Sequence, residues 1–141
     1  MTIKRIEHFS PEDLKDINKL LLQLSSRGYQ MKEDDFKTAL KDKNIFLLGL
    51  FEDKRIIGTA TLVALHQVTG YKGYVEDVVV DEKYRGQGLG KRLMKEIIAE
   101  AQKLKLFRLE LKSETDRVAA NKLYQALGFN KKEANVYQYK L

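Results

Sequence analysis

Between Arg85 and Lys91 the chain reads Arg-Gly-Gln-Gly-Leu-Gly-Lys, three glycines set among cations. An apolar run, Tyr74-Val-Glu-Asp-Val-Val-Val80, precedes it, and a long amphipathic pattern follows from Leu89 or Gly90. A strand that feeds a glycine-rich turn into a helix start is an anion-binding device. Glycine lets backbone N–H groups approach a phosphate, and the donors of a helix's first turn have no partner inside the helix. Arg85, Lys91 and Arg92 add positive charge at the same corner. The turn is therefore read as the holder of a cofactor's diphosphate, through Arg85, Gly86, Gln87, Gly88, Leu89, Gly90 and Lys91. Spacing narrows the cofactor. A dinucleotide fingerprint needs G-x-G-x-x-G, and Lys91 stands where its third glycine belongs. A P-loop needs four residues between its glycines and then Lys with Ser or Thr; Gly86 and Gly90 are separated by three, and Arg92 follows Lys91. A second chemical signal lies just upstream. Glu76 and Asp77 interrupt the apolar strand, and acids there are costly unless paired or used. The period-two rule sets them on opposite faces.

Composition limits the remaining classes. With 141 residues, 43% hydrophobic and 33% charged, the chain is expected to be one globular domain, 1–141, with a core of useful size. No apolar run reaches the 18 residues of a membrane span, and the first residues, Met-Thr-Ile-Lys-Arg-Ile-Glu, lack an apolar secretory core. Cytoplasm is the expected location. The absence of cysteine excludes disulfides, thiolate metal sites and a Cys nucleophile. His8 and His66 are too far apart in sequence to suggest a metal cluster, so no metal is expected. The net charge of +6 raises a nucleic-acid footprint as one option. Basic and acidic residues are interspersed, however, and no long segment mixes basic with aromatic residues. A solvated surface is preferred, part of whose charge could serve a polyanionic cofactor.

The elements that must position these residues follow from pattern. Ile3 to Phe9 reads as a first strand with Ile6 inward. Ser10 and Pro11 open a helix, as N-cap and first-turn proline, with Leu14, Ile17, Leu20, Leu21 and Leu24 on its apolar face. Ser25 to Gly28 ends it, and Phe36, Ala39 and Leu40 mark a shorter helix after Asp34 or Asp35. Ile45 to Phe51 and Arg55 to Leu65 form a hairpin about Glu52-Asp53-Lys54, and Gln67 to Gly73 is expected to be a loop. Leu89, Leu93, Ile97 and Ala101 give the long helix its buried stripe. Leu106 to Lys112 is the next strand, with Phe107, Leu109 and Leu111 on one face. A last helix begins within Ser113 to Asp116 and stops at Gly128, and Ala134 to Lys140 is expected to close the sheet as a final strand.

Arg85-x-x-Gly88-x-Gly90 after a Val-rich strand resembles the acetyl-CoA-binding motif of the GNAT acetyltransferase superfamily. Arg117-x-x-Ala120-x-x-Leu123-Tyr124-x-x-x-Gly128-Phe129 resembles that family's C-terminal motif. The element order matches over nearly the whole chain, least closely over residues 1 to 44, where acceptor specificity would lie. The resemblance implies an α/β GNAT acyl-CoA N-acyltransferase fold, a mixed central sheet flanked by helices, with acetyl-CoA as co-substrate. It further implies that the backbones of Val78, Val79 and Val80 meet the pantetheine arm, with an N–H near Val79 facing the carbonyl oxygen. Tyr124 would then be the acid that protonates the leaving thiolate. Glu76 is the first choice for the base that takes the amine's proton, directly or through water, and Asp77 the second. Their adjacency resembles glucosamine-6-phosphate N-acetyltransferases in particular. Many relatives carry Asn where Arg117 stands, so its contact with coenzyme A is open, and Asn121 is a substitute. The expected activity is direct acetylation of a small primary amine, such as an amino sugar or polyamine. A protein Lys or N-terminal acceptor, and a non-catalytic acyl-CoA-binding module, are the alternatives. The expected partners are that small molecule and, as an option, a second copy of the chain in a homodimer, with neither nucleic acid nor membrane.

Overall fold

The computed structural model describes residues 1–141. Thr2–Arg5 forms β1, and Ser10 caps the helix α1, Pro11–Leu24, by accepting a hydrogen bond from the Asp13 N–H at 3.2 Å. α2 spans Glu33–Lys41. β2 (Ile45–Glu52) and β3 (Arg55–Gln67) pair antiparallel about Asp53-Lys54, and Asp53 takes the positive φ that this tight turn needs. β4 is Gly70–Val80, followed by a short 3-10 turn, Glu82–Tyr84. The long helix α3 covers Leu89–Lys103, β5 Arg108–Leu111, and α4 Val118–Ala126.

The sheet runs in the order β1-β2-β3-β4-β5. Its first four strands are antiparallel neighbours, while β5 lies parallel to β4 because α3 carries the chain back across the sheet. Each face is covered. On one, Leu93, Met94 and Ile97 of α3 and Tyr124 of α4 pack against Leu48, Leu50, Leu62 and Val75. On the other, Ile17 and Leu20 of α1 and Phe36 of α2 pack against Phe51, Ile56 and Val79. Full burial of such a side chain stabilises by about 1.5–3 kcal/mol, so these layers fix where β4 and α3 meet. No helix is long and apolar enough to cross a membrane.

The carboxylate of Asp16, on α1, is buried beneath this second layer. It accepts from Arg55 Nε at 2.8 and 3.1 Å, from a second Arg55 nitrogen, and from the Ile56 N–H at 3.1 Å. Burial alone would raise its pKa, but the hydrogen bonds from Arg55 and Ile56, with the Arg55 charge, outweigh that and hold it below the usual carboxylate range.

Several expected boundaries move. The first strand stops at Arg5, although Ile6 N–H still donates to Leu47 O at 2.9 Å. The expected loop at Gln67 to Gly73 is a tight reversal, with Gln67 opposite Gly70 and the pairing continuing through His66–Tyr71. Gly70, at φ +130°, supplies a backbone that side-chain-bearing residues rarely adopt. Phe107 falls outside β5 and is exposed, whereas Leu109 and Leu111 join the core layer. The last helix starts at Val118, because Glu114 to Arg117 forms a turn closed by Arg117 N–H on Glu114 O. Ala134 to Lys140 forms no strand: no neighbouring strand pairs with it, and Val136, Tyr137 and Tyr139 are exposed.

Candidate active site

The site begins with a fault in β4. Thr59 opposes Val79, yet Thr61 opposes Glu76, so Asp77 and Val78 together face the single residue Ala60. This β-bulge is absorbed at Asp77, whose φ of +52° lies in the left-handed region that Asp tolerates better than most side chains. Thr59 Oγ1 donates to Asp77 O at 3.3 Å and pins it. The bulge corrects the expectation that Glu76 and Asp77 simply alternate faces, because the two-residue period breaks between them. Both residues are exposed. Although water reaches Asp77, protein crowds its carboxyl, and that desolvation raises its pKa.

Beyond the bulge, β4 loses its outer neighbour. β5 pairs with Lys72 to Val75 only, so β3 is the one strand neighbour of Glu76 to Val80 and no strand lies along their other edge. The chain then enters the glycine turn. Gly86 and Gly88 have φ of +77° and +74°, and a Cβ on either would meet nothing within 4 Å. The backbone, not crowding, therefore demands glycine at both positions. Gly90 differs: its φ is ordinary, and a Cβ there would reach Leu123 Cδ2 of α4 at 3.4 Å, an ordinary contact.

Gly88 is the N-cap of α3, and the first helical hydrogen bond runs from Arg92 N–H to Gly88 O at 3.1 Å. The amides of Leu89, Gly90 and Lys91 thus have no partner within the helix. No side chain caps this end, and no acid occupies its first turn. A 15-residue helix directs its positive dipole end at the open turn. The donor set and the open space beside it fit a diphosphate.

The Arg85 side chain is engaged within the protein. Its Nε donates to Val80 O at 3.0 Å and its guanidinium reaches Gln23 Oε1 at 3.5 Å, so it braces the turn from behind. Lys91 and Arg92 are exposed, and Arg92 donates to Met1 O. The Asn121 amide donates to Glu114 O at 2.9 Å, which ties it to the turn before α4. Arg117 is the N-cap residue of that helix.

Tyr124 reaches the same region from α4. It is buried in the cluster that holds Val75 and Leu89, against which Val78 and Val80 pack, and its ring meets Phe129 edge-on at 6.1 Å. Burial raises the phenol's pKa, with the Arg117 charge opposing weakly, so the hydroxyl stays protonated at neutral pH. The fold thus brings Tyr124 together with the Val-rich strand and the start of α3.

Two supporting contacts have no sequence signature. Gln23 Oε1, on α1, accepts from Glu82 N–H at 2.9 Å, and the Tyr84 hydroxyl bonds to Glu52 of β2. Both fix the 3-10 turn that delivers Arg85, but a lone Gln or Glu on an otherwise polar face carries no signal in one sequence. Two surface hollows, along Lys131 to Asn135 and beside Lys4 to His8, share no residue with this corner. No group of three or more His, Asp or Glu side chains gathers to hold a metal ion.

A one-sided strand, a bulge and an uncapped helix behind a glycine turn thus lie together at one corner of a mixed sheet. The model of the acetyltransferase (GNAT) family matches residues 12–129, and the chain belongs to that family. It is 34% identical over 73 residues to the ribosomal protein bS18-alanine N-acetyltransferase of Escherichia coli K12, covering 52% of this chain and 49% of that protein. It is 35% identical over 82 residues to glucosamine 6-phosphate N-acetyltransferase of Trypanosoma brucei brucei, covering 56% and 54%. The chain thus spans about half the length of the curated relatives it matches. A solved structure of a putative acetyltransferase from Agrobacterium tumefaciens C58 superposes with a TM-score of 0.88 at 19% identity, over 99% of this chain and 100% of that one.

Proposed function

We propose that this chain moves an acetyl group from acetyl-CoA directly to a primary amine. The observation that carries this reading is the uncapped start of α3 behind Gly86 and Gly88, next to the one-sided edge of Glu76 to Val80. In this reading the amides from Gly88 to Lys91 hold the diphosphate, and the free edge of Val78 to Val80 pairs with the amides of the pantetheine arm, as a strand would. When bound, the thioester supplies an activated acyl group. The protein's own tasks are to orient the two reactants and move protons.

An aliphatic amine has a pKa near 10.4, so a base must take its proton at neutral pH. Glu76 is the first candidate and Asp77 the second, whose pKa is raised by desolvation. Tyr124, kept protonated by burial, is the acid for the departing sulfur. The carboxylate or its water first takes the ammonium's proton; the N–C bond then forms as the C–S bond breaks, the phenol's proton goes to sulfur, and the proton lost from the new amide nitrogen restores the phenol. Arg117, or Asn121 in its place, is the candidate on α4 for contact with coenzyme A.

The acceptor class we favour is a small amine such as an amino sugar, supported by the adjacent Glu76-Asp77 pair and the similarity to a glucosamine 6-phosphate N-acetyltransferase. The similarity to an enzyme acting on a ribosomal protein's alanine supports a second reading, a polypeptide acceptor. Thiol release from acetyl-CoA, measured across amino sugars, polyamines and peptides, separates them. Turnover with amino sugars is expected; turnover with peptides alone selects the second reading, and cofactor binding without turnover on any amine leaves only an acyl-CoA-binding module.

A further inference from the structure

One buried hydroxyl in this protein has nothing to bond. Ser113 Oγ is covered by protein without a hydrogen-bond partner, and no other buried side-chain nitrogen or oxygen shares that condition. An unpaired polar atom of this kind is costly and rare in a folded chain, so its position carries information.

That position is the far wall of a wedge. β5 pairs with β4 from Arg108 opposite Lys72 to Leu111 opposite Val75, and there the two segments part. β4 goes on through Glu76 to Val80 with no strand along that side. The chain beyond Leu111 runs through Lys112 and Ser113 into the turn of Glu114 to Arg117, which leads to α4. This wall is anchored: Glu114 O accepts from the Asn121 amide at 2.9 Å and from Arg117 N–H at 3.1 Å. Counted on from the last pair, Ser113 stands two residues past Leu111, level with the bulge at Asp77. The alternation of an extended chain sets it on the face of Leu109 and Leu111. Val78, Val80 and Tyr124 belong to the same packed layer as those leucines.

The oxygen is covered, but Ser113 as a residue is only half-buried. A serine side chain has one torsion to turn, with staggered wells roughly 120° apart. Rotation between them moves Oγ from its covered position to the exposed side of the residue.

We propose that Ser113 is a cofactor-binding residue: its hydroxyl turns into the wedge and hydrogen-bonds an amide of the pantetheine arm, across from Val78 to Val80. This rests on the acetyl-CoA reading above. A hydroxyl both donates and accepts, so it suits either half of an amide. The arm is then held from two sides, by the backbone of β4 and by one side chain after β5. The hydroxyl that lacks a partner in the free protein gains one in the complex.

The test is Ser113→Ala with three readouts. Calorimetry with coenzyme A should show affinity weakened roughly two- to tenfold, the scale of one lost hydrogen bond. Affinity for 3′-phospho-ADP, which keeps the diphosphate and lacks the arm, should not change. The ligand-free variant should melt no lower than wild type, because the substitution removes an unpaired buried oxygen. A serine that serves folding alone gives the reverse, a lower Tm with coenzyme A affinity intact, and overturns the proposal. Equal weakening of both ligands overturns it too, since the contact is then not with the arm. Wild type that binds no coenzyme A refutes the acetyl-CoA reading itself; wild-type binding that Ser113→Ala leaves unaltered refutes the role of Ser113 alone.

Discussion

Every residue of β2 from Ile45 to Glu52 has a partner on β3, whereas β4 is paired on both sides only from Lys72 to Val75. The two regions share one sheet and similar apolar composition but differ in what their backbones have left to offer. The β2–β3 side is closed, with hydrogen bonds used up and side chains filling both layers. The outer half of β4 has no strand on its second edge, and the turn after it ends in helix amides without partners, so that is where a ligand rich in amides and phosphates can be held. Two aspartates repeat the contrast. Asp16 is buried, fully bonded and held low; Asp77 touches water, has no ion-pair partner and is raised. The first is structural, the second available for chemistry.

The contrast can be broken most severely at the turn. Gly88→Asp puts a side chain and a negative charge where the diphosphate would lie, on a φ that only glycine adopts readily. Loss of the thermal stabilisation given by acetyl-CoA is expected, and unchanged stabilisation would refute the turn as the binding site. Tyr124→Phe should leave cofactor affinity near wild type while lowering kcat by roughly 10²-fold, the scale of a lost general acid. An unaltered kcat, where chemistry limits the rate, removes Tyr124 from that role.

On the closed side, Asp16→Ala should leave the Ile56 N–H buried without a partner and lower stability by roughly 1–3 kcal/mol in denaturant titration, with the KM for acetyl-CoA unchanged. Gln23→Ala sits at the boundary between the two regions. Losing the hydrogen bonds from Glu82 N–H and the Arg85 guanidinium should raise the KM for acetyl-CoA roughly two- to tenfold at constant kcat. An unmoved KM would mean that α1 does not position the turn.

The smallest effects are in pH dependence, and their signs oppose. The lowered pKa of Asp16 contributes stability that is present above the ordinary aspartate range and is lost as pH falls through its folded value. The raised pKa of Asp77 means the folded state holds that proton more tightly, so stability declines as pH rises from the ordinary aspartate range through the raised value. Asp77→Asn should remove that decline in a Tm-against-pH series. If Asp77 rather than Glu76 is the base, the same variant should erase the acidic limb of kcat/KM, and Glu76→Gln should leave it.

What the sequence conveyed and what it withheld divide along the same line. The cofactor corner is local: strand, turn and helix start are consecutive, so Gly88 and the stripe of Leu89, Leu93 and Ile97 can be read from spacing alone. The Ser10 cap is legible for the same reason. The bulge at Asp77 is not, because it depends on register against β3, which no periodicity within β4 encodes. Gln23 and Glu52 act across 59 and 32 residues of chain and were invisible. The expected strand at Ala134 to Lys140 does not form: the alternation is in the sequence, but pairing with another strand is not something one segment's pattern encodes.

The most direct measurement follows backbone ¹⁵N–¹H resonances while coenzyme A is titrated into the protein. The amides of Gly88, Leu89, Gly90 and Lys91 should shift most, with those of Val78 to Val80 next and the β2–β3 hairpin nearly still. Saturable binding with the turn amides unmoved would contradict the claim that this backbone clasps the diphosphate.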